Sequence, residues 1–413
     1  MLRCGHMPAR MVIVALLALA ALAAQPSSSL FQQVDEMVMT LSEITGWQIR
    51  EKVPSEMLSN EKFRHMVEDG VKKQSNQKDV RAEELTLKMF GFVPQDFNLQ
   101  QEAVDLVSEQ AAAFYDYKKK RLFVLSSTPE GMERQVALVH ELAHALADQH
   151  HHLGRYLTRG SPDDDASTAR EAVMEGQATW LSWAYVNKHN GGKGEVPAPV
   201  IDELTRSTGA EGSEFPVFSN APLYVRESLV FPYDEGLRFQ DAVFRKLGRQ
   251  SFDQLFTHPP LSTQQILHPE AYFENKKPTE PEPPSAMETF GKDARHFRDL
   301  VDGSLGEFDH SVLFRQYIGE KEGREAASHW RGGSYRLYEN KREKYPVLSY
   351  VSEWDSPESA RAIFEIYQRV LKGKWKKMEI TMQSDQEVSG VGDSGRFRLR
   401  LSGIAVQSVE GLR

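Results

Sequence analysis

The chain has 413 residues, 40% hydrophobic and 26% charged, with 50 basic against 59 acidic side chains and a formal charge of −9. That composition supplies at least one substantial core and excludes a disordered chain, a collagen and a basic nucleic-acid coat, so no nucleic-acid partner is expected. The single cysteine, Cys4, excludes a disulfide framework and any cysteine-ligated zinc or iron–sulfur cluster.

Arg3 and Arg10 precede an apolar run from Met11 to Ala23, which closes on Ala20, Ala21, Ala23 and Ala24 before Gln25-Pro26-Ser27. Residues 1–24 thus have the three-part form of a secretory signal. The apolar run of about 13 residues is too short to span a bilayer of roughly 30 Å. Cleavage near Ala24 is expected, with export to the periplasm or the extracellular space and no stable membrane insertion afterwards. Cys4 leaves with that segment, so a metal bound by the mature chain must rest on nitrogen and oxygen ligands.

From residue 25 to 110 the apolar spacing is helical, with clear stretches at Phe31–Ile44, Asn60–Lys73 and Arg81–Phe90, and we read a helical N-terminal subdomain. Ala113–Ser126 places a polar turn, Asp116 to Arg121, between two β-rich runs and reads as a hairpin. Thr128-Pro129-Glu130 reads as the opening of a helix, with Thr128 as N-cap, that carries apolar residues from Val136 to Leu146. A second strong helix follows the acidic cap Asp163-Asp164-Asp165 and runs from about Ala166 to Val186. Residues 111–276 form the expected catalytic core, and 277–287, rich in proline and glutamate, the linker to a small α+β domain over 288–413. The whole reads as α+β.

The chemistry is concentrated in His140-Glu141-Leu142-Ala143-His144. A four-residue spacing on a helix puts both imidazoles on one face, one turn apart, where they can share one zinc. Glu141, rotated by roughly 100° from His140, is placed to act as general base on the attacking water. The flanking Leu138, Leu142, Ala145 and Leu146 bury the helix, as a metal site requires. A third protein ligand is needed. The next long helix offers Glu171 and Glu175, four positions apart on an otherwise apolar stretch where a carboxylate needs a partner. Asp148 and whichever of those two glutamates does not bind metal, Glu171 if Glu175 is the ligand, are placed to orient the imidazoles from behind.

Val139-His-Glu-Leu-Ala-His-Ala-Leu-Ala-Asp-Gln-His150, followed by Val173-Met-Glu-Gly-Gln-Ala-Thr179, resembles the gluzincin class of zinc metallopeptidases. The chain is similar to a poorly characterised set of bacterial exported metallopeptidases, also through Phe114-Tyr-Asp116, Ser262–Glu270 and Trp354-Asp355. The resemblance implies a zincin-like catalytic core and one Zn²⁺ per chain held by His140, His144 and a glutamate, with Glu141 catalytic. The Glu-Gly pair of that class falls on Glu175-Gly176, which favours Glu175; Glu171, followed by Ala172 as in thermolysin-like enzymes, remains the rival. A spacing of 31 positions from His144 to Glu175 is longer than in thermolysin-like or aminopeptidase-N-like enzymes. In zincin folds the strand before the motif helix forms the edge on which an extended peptide is laid.

A donor for the tetrahedral oxyanion is also required, and His268, Tyr233 and His258 are the candidates in that order. The expected activity is endopeptidase cleavage of a peptide or protein substrate. The rival reading is a non-catalytic zinc-binding or chaperone-like envelope protein, against which the intact Glu141 argues.

Overall fold

The computed structural model describes residues 28–74, 77–128, 130–160, 163–207 and 215–413. The expected signal at 1–24, with Cys4, lies outside the described residues, as does Pro129. Among the described residues no helix is long and apolar enough to cross a membrane.

The fold is α+β. Helices α1 (Ser28–Thr45), α2 (Asn60–Gln74), α3 (Gln77–Phe90) and α4 (Leu99–Gln110) precede a hairpin of β2 (Ala113–Asp116) and β3 (Arg121–Leu125). A short strand β1 (Ser55–Leu58), absent from the sequence reading, pairs parallel to β3 and completes a three-stranded sheet in the order β1-β3-β2. It has only four residues, Ser-Glu-Met-Leu, with too little β-branched character to stand out. β2 is therefore an edge strand. Leu125 N–H donates to the Ala112 carbonyl at 2.9 Å, so with the Phe114↔Phe123 register the alternation of antiparallel pairing turns the backbone groups of Ala113 and Tyr115 to the open side.

The motif helix α5 (Met132–His151) starts later than its sequence cap predicted. Thr128 spends its hydroxyl on the Ala112 carbonyl at 2.7 Å, bracing the hairpin, and Gly131 at φ 132° makes the turn into the helix. Short α6 (Leu153–Thr158) leads to α7 (Asp164–His189), capped by the Asp163 carboxylate accepting Ala166 N–H at 2.8 Å. After α8 (Ala198–Ser207) and α9 (Pro216–Asn220) comes α10 (Leu223–Leu247), which continues through Pro232. α7 and α10 approach so closely that a Cβ on Gly176 would lie 2.1 Å from the backbone of Gly236, and one on Gly236 would lie 2.2 Å from the Ala172 carbonyl oxygen. Two glycines make this crossing possible.

α11 (Gln250–Thr257), α12 (Thr263–Leu267) and α13 (Pro269–Phe273) complete the first half. The proline-rich segment lies against the C-terminal half: Thr279 N–H donates to the Arg331 carbonyl at 2.8 Å, and the Pro284 carbonyl accepts from Ser349 Oγ at 2.8 Å. Beyond α14 (Ala286–Phe290) an antiparallel seven-stranded sheet forms in the order β4-β5-β6-β10-β9-β8-β7. Its strands are β4 (Phe297–Ser304), β5 (Trp330–Asn340), β6 (Pro346–Trp354), β7 (Met378–Gln383), β8 (Glu387–Gly392), β9 (Gly395–Ser402) and β10 (Ala405–Leu412). α15 (Glu307–Ile318) and α16 (Glu320–Ala327) sit between β4 and β5, and α17 (Pro357–Lys374), capped by Ser356, packs on β6, β10 and β9. One hydrophobic core runs without interruption from Val34 to Val406 and includes residues of both halves.

Candidate metal centre

α5 and α7 bring three ligand atoms to one point. His140 Nε2 lies 3.0 Å from Glu175 Oε2 and 3.1 Å from His144 Nε2, and His144 Nε2 lies 3.3 Å from the same carboxylate oxygen. Two nitrogens and an oxygen around a tetrahedral zinc stand roughly 3.3 Å apart at ordinary bond lengths. The edges of this triangle match that spacing, and the all-nitrogen-and-oxygen donor set suits zinc. His144 and Glu175 are buried, at 8% and 7% exposure, so the site is sheltered from competing water.

Glu141 brings an oxygen within 4.8 Å of a nitrogen of each imidazole, a looser grouping than the Glu175 triangle. Its carboxylate is engaged from the other side: Tyr115 N–H, on the open edge of β2, donates to Glu141 Oε2 at 2.7 Å. Burial of this carboxyl in the cleft floor pushes it up to about 7; neighbouring His140 opposes the shift, Glu175 adds to it, and the Tyr115 amide opposes it. Glu175 behaves in the opposite way. Burial alone would raise its carboxyl, but His144 and His140, by charge and by hydrogen bonds, hold it far below the usual carboxylate range. Two neighbouring glutamates thus have opposed environments, one suited to carrying a proton and one to staying charged.

Glu171 is buried one turn before Glu175 and lines the same cleft beside Tyr117 and Tyr233, while the carboxylate that meets the imidazoles is that of Glu175. Asp148 does not meet the imidazoles in any hydrogen bond of the site. Its Oδ1 accepts Leu153 N–H at 2.8 Å where α5 ends, and its Oδ2 accepts the Tyr115 hydroxyl at 3.1 Å. It therefore secures the strand whose amide holds Glu141.

His268 is not in the cleft. Its Nε2 lies 2.7 Å from Glu307 Oε1, a pairing that raises its pKa despite partial burial. His258 is exposed and turned toward its neighbour Thr257. Of the three candidates, Tyr233 is the one that lines the cleft. Its ring stacks on His140 with centroids 5.8 Å apart and planes inclined by 26°. Although 42% of the residue is exposed, burial of its hydroxyl end and the charges of Glu175 and Glu141 raise its pKa well above the ordinary tyrosine value. A tyrosine kept protonated is a donor. The Gly176–Gly236 contact, three residues along α10, is what lets this helix deliver it.

These groups sit at the base of a cleft of about 690 Å³. Away from the acids its walls are largely apolar: Met132 and Val136 on α5, Trp183 on α7, Leu229 on α10, and Leu106 and Val107 on α4. The contribution of α4 had no local signal, because its wall-forming face is read only once the helix is docked. The other histidines of the motif region are structural. His150 Nε2 meets the Gln48 carbonyl at 2.9 Å, and His151 Nε2 lies 2.9 Å from Asp253 with its ring stacked on Phe256.

A domain of unknown function (DUF8575) matches residues 294–413, the part of the chain that holds the seven-stranded sheet. Neither a curated protein nor a solved structure matches the chain.

Proposed function

We propose that the protein is an exported zinc-dependent peptidase with a zincin-type catalytic core and one Zn²⁺ per chain. The observation that carries this reading is the convergence of His140 Nε2, His144 Nε2 and Glu175 Oε2 within 3.3 Å of one another, beside a glutamate that is not part of the triangle. When bound, the metal supplies Lewis acidity, polarising a carbonyl and easing deprotonation of water.

The chain's own residues do the rest. An extended peptide pairs along β2 with the open backbone groups of Ala113 and with the Tyr115 carbonyl, the Tyr115 N–H being held by Glu141, which binds it without reading its sequence. Glu141 takes a proton from the attacking water and passes it to the leaving amine. Tyr233 donates its hydroxyl hydrogen to the oxygen that gains charge as the scissile carbonyl becomes tetrahedral. The carbon–nitrogen bond breaks, the water oxygen stays on the new carboxylate, and the proton leaves with the amine. The apolar walls around Val136, Trp183 and Leu106 favour peptides with a bulky apolar side chain beside the bond.

The test is metal content and peptide-library cleavage of the purified mature chain. About one zinc per chain and cleavage inhibited by a chelator are expected; protein that neither holds nor responds to zinc would remove the reading.

A further inference from the structure

The helices that carry Glu175 and Tyr233 both run into the C-terminal half, and both meet it at the first turn of α15. Gly306, at the N-cap of α15, has no room for a side chain: a Cβ there would lie 1.7 Å from Asp165 Oδ1, at the start of α7. The same Asp165 oxygen accepts the Thr263 hydroxyl at 2.5 Å and the Thr263 N–H at 3.1 Å, and Asp165 N–H donates to Ser304 Oγ at 3.1 Å. Thr263 Oγ1 in turn accepts Phe308 N–H at 3.2 Å. The start of α7 is thus gripped by α12, β4 and α15 together.

α10 is held by the next residues of the same turn. Phe308 packs on Phe231 with ring centroids 4.4 Å apart, two positions before Tyr233. Asp309, fully buried, receives the Tyr224 hydroxyl on Oδ1 at 2.9 Å and closes its own helix start by accepting Gly306 N–H on Oδ2 at 2.8 Å. Nearly two turns later Arg315 grips Glu227 through both guanidinium ends, at 2.7 and 3.1 Å.

Resting on the metal-centre reading above, we propose that the domain matched over 294–413 is the positioning element of that centre. Through Gly306, Phe308 and Asp309 it sets the relative placement of the Glu175 helix and the Tyr233 helix. α7 is a rigid rod latched at its first turn by the C-terminal half, and α10 touches it without intervening side chains at Gly176–Gly236. With the crossing point and one end of each helix fixed, the angle between them is fixed, and with it the approach of Glu175 and Tyr233 to His140. The C-terminal half contributes no side chain to the cleft, yet the cleft's geometry depends on its helix α15.

The test uses the full mature chain with three substitutions: Phe308→Ala, Asp309→Asn, and Phe397→Leu as a control in the sheet core away from α15. Two readouts are made at a temperature where all are folded: Co²⁺ affinity with its visible spectrum, and hydrogen exchange of segments 171–176 and 228–236 in metal-free protein. Phe308→Ala and Asp309→Asn are expected to weaken Co²⁺ binding roughly 10- to 100-fold and alter the band shape. They also speed exchange in both segments, whereas Phe397→Leu lowers the melting temperature and leaves both readouts alone. Phe308→Tyr should restore them. If neither Phe308→Ala nor Asp309→Asn moves exchange in those segments, the proposal is overturned. Should wild-type protein bind no Co²⁺, the metal reading fails by itself and the exchange arm still decides the positioning role.

Discussion

His140 Nε2 and Glu175 Oε2 lie 3.0 Å apart although 35 positions separate them in the chain, and they belong to different helices. Nothing in either helix alone requires that meeting. Two polar groups placed so in a buried site need a charge or a proton between them, and a shared cation is the arrangement for which the third atom, His144 Nε2, is already in place.

The first consequence concerns ligand identity. Glu175→Gln is expected to remove the bound zinc, as are His140→Ala and His144→Ala, whereas Glu171→Gln keeps about one zinc per chain. Elemental analysis of the four purified variants checks this. Zinc retained in Glu175→Gln and lost in Glu171→Gln would reverse the assignment.

Tyr233 separates binding from turnover. Its ring stacks on His140 at the mouth of the ligand triangle, in the same cleft as Glu141 and Glu175. Tyr233→Phe preserves the ring, so zinc content and KM should hold while kcat falls by about 10²- to 10³-fold, the loss seen when one oxyanion donor is removed. Steady-state kinetics on a cleaved library peptide gives the answer, and an unchanged kcat would exclude the tyrosine from the chemistry.

The helix crossing makes a prediction about packing. Gly236→Ala would drive a methyl group to 2.2 Å from the Ala172 carbonyl oxygen, so α10 must move away from α7. A loss of about 1–3 kcal/mol or more is expected, together with weaker metal binding. Denaturant unfolding followed by a zinc titration measures both; native-like values in each would show that the crossing has slack.

A fourth prediction concerns pH and lies far from the metal. His310 is buried between the Gly306 carbonyl, 2.7 Å from Nδ1, and the Tyr350 hydroxyl, 2.5 Å from Nε2, and burial lowers its pKa from 6.5 to about 4, with the Gly306 hydrogen bond and Asp309 opposing. A depressed folded-state value means that stability is fully present above the unfolded value near 6.5 and is lost as pH falls toward 4. The shift corresponds to roughly 3 kcal/mol. Unfolding free energies measured at pH 7.5 and 4.5 should fall more for wild type than for His310→Gln; equal losses would show that another group carries the acid sensitivity.

The parts of this architecture that depend on near neighbours were legible in the sequence. The 140–144 spacing, the hairpin before it and the acidic cap of α7 are local patterns with local causes, and each has its counterpart in the structure. The choice between Glu171 and Glu175 was not, because it depends on how α7 is rotated against α5, and both residues lie on nearly the same face. His268 misled for a related reason. It sits in a motif-like stretch, but its partner Glu307 is 39 positions away, in a helix whose contact with α12 no local pattern announces. Asp148 was recognised as a neighbour of the site but assigned to the wrong partner, since its tie to Tyr115 spans 33 positions. In the C-terminal half, polar and glycine residues interrupt the alternation of β4 and β8, so those strands carry no clear local pattern.

In the proposed reaction Glu141 acts as general base beside a zinc held by His140, His144 and Glu175. The most direct measurement is zinc content together with peptide cleavage for wild type and Glu141→Gln, side by side. About one zinc is expected in both proteins, with cleavage by wild type and none detectable in the variant. Cleavage by Glu141→Gln at the wild-type rate, with zinc still bound, would contradict that role.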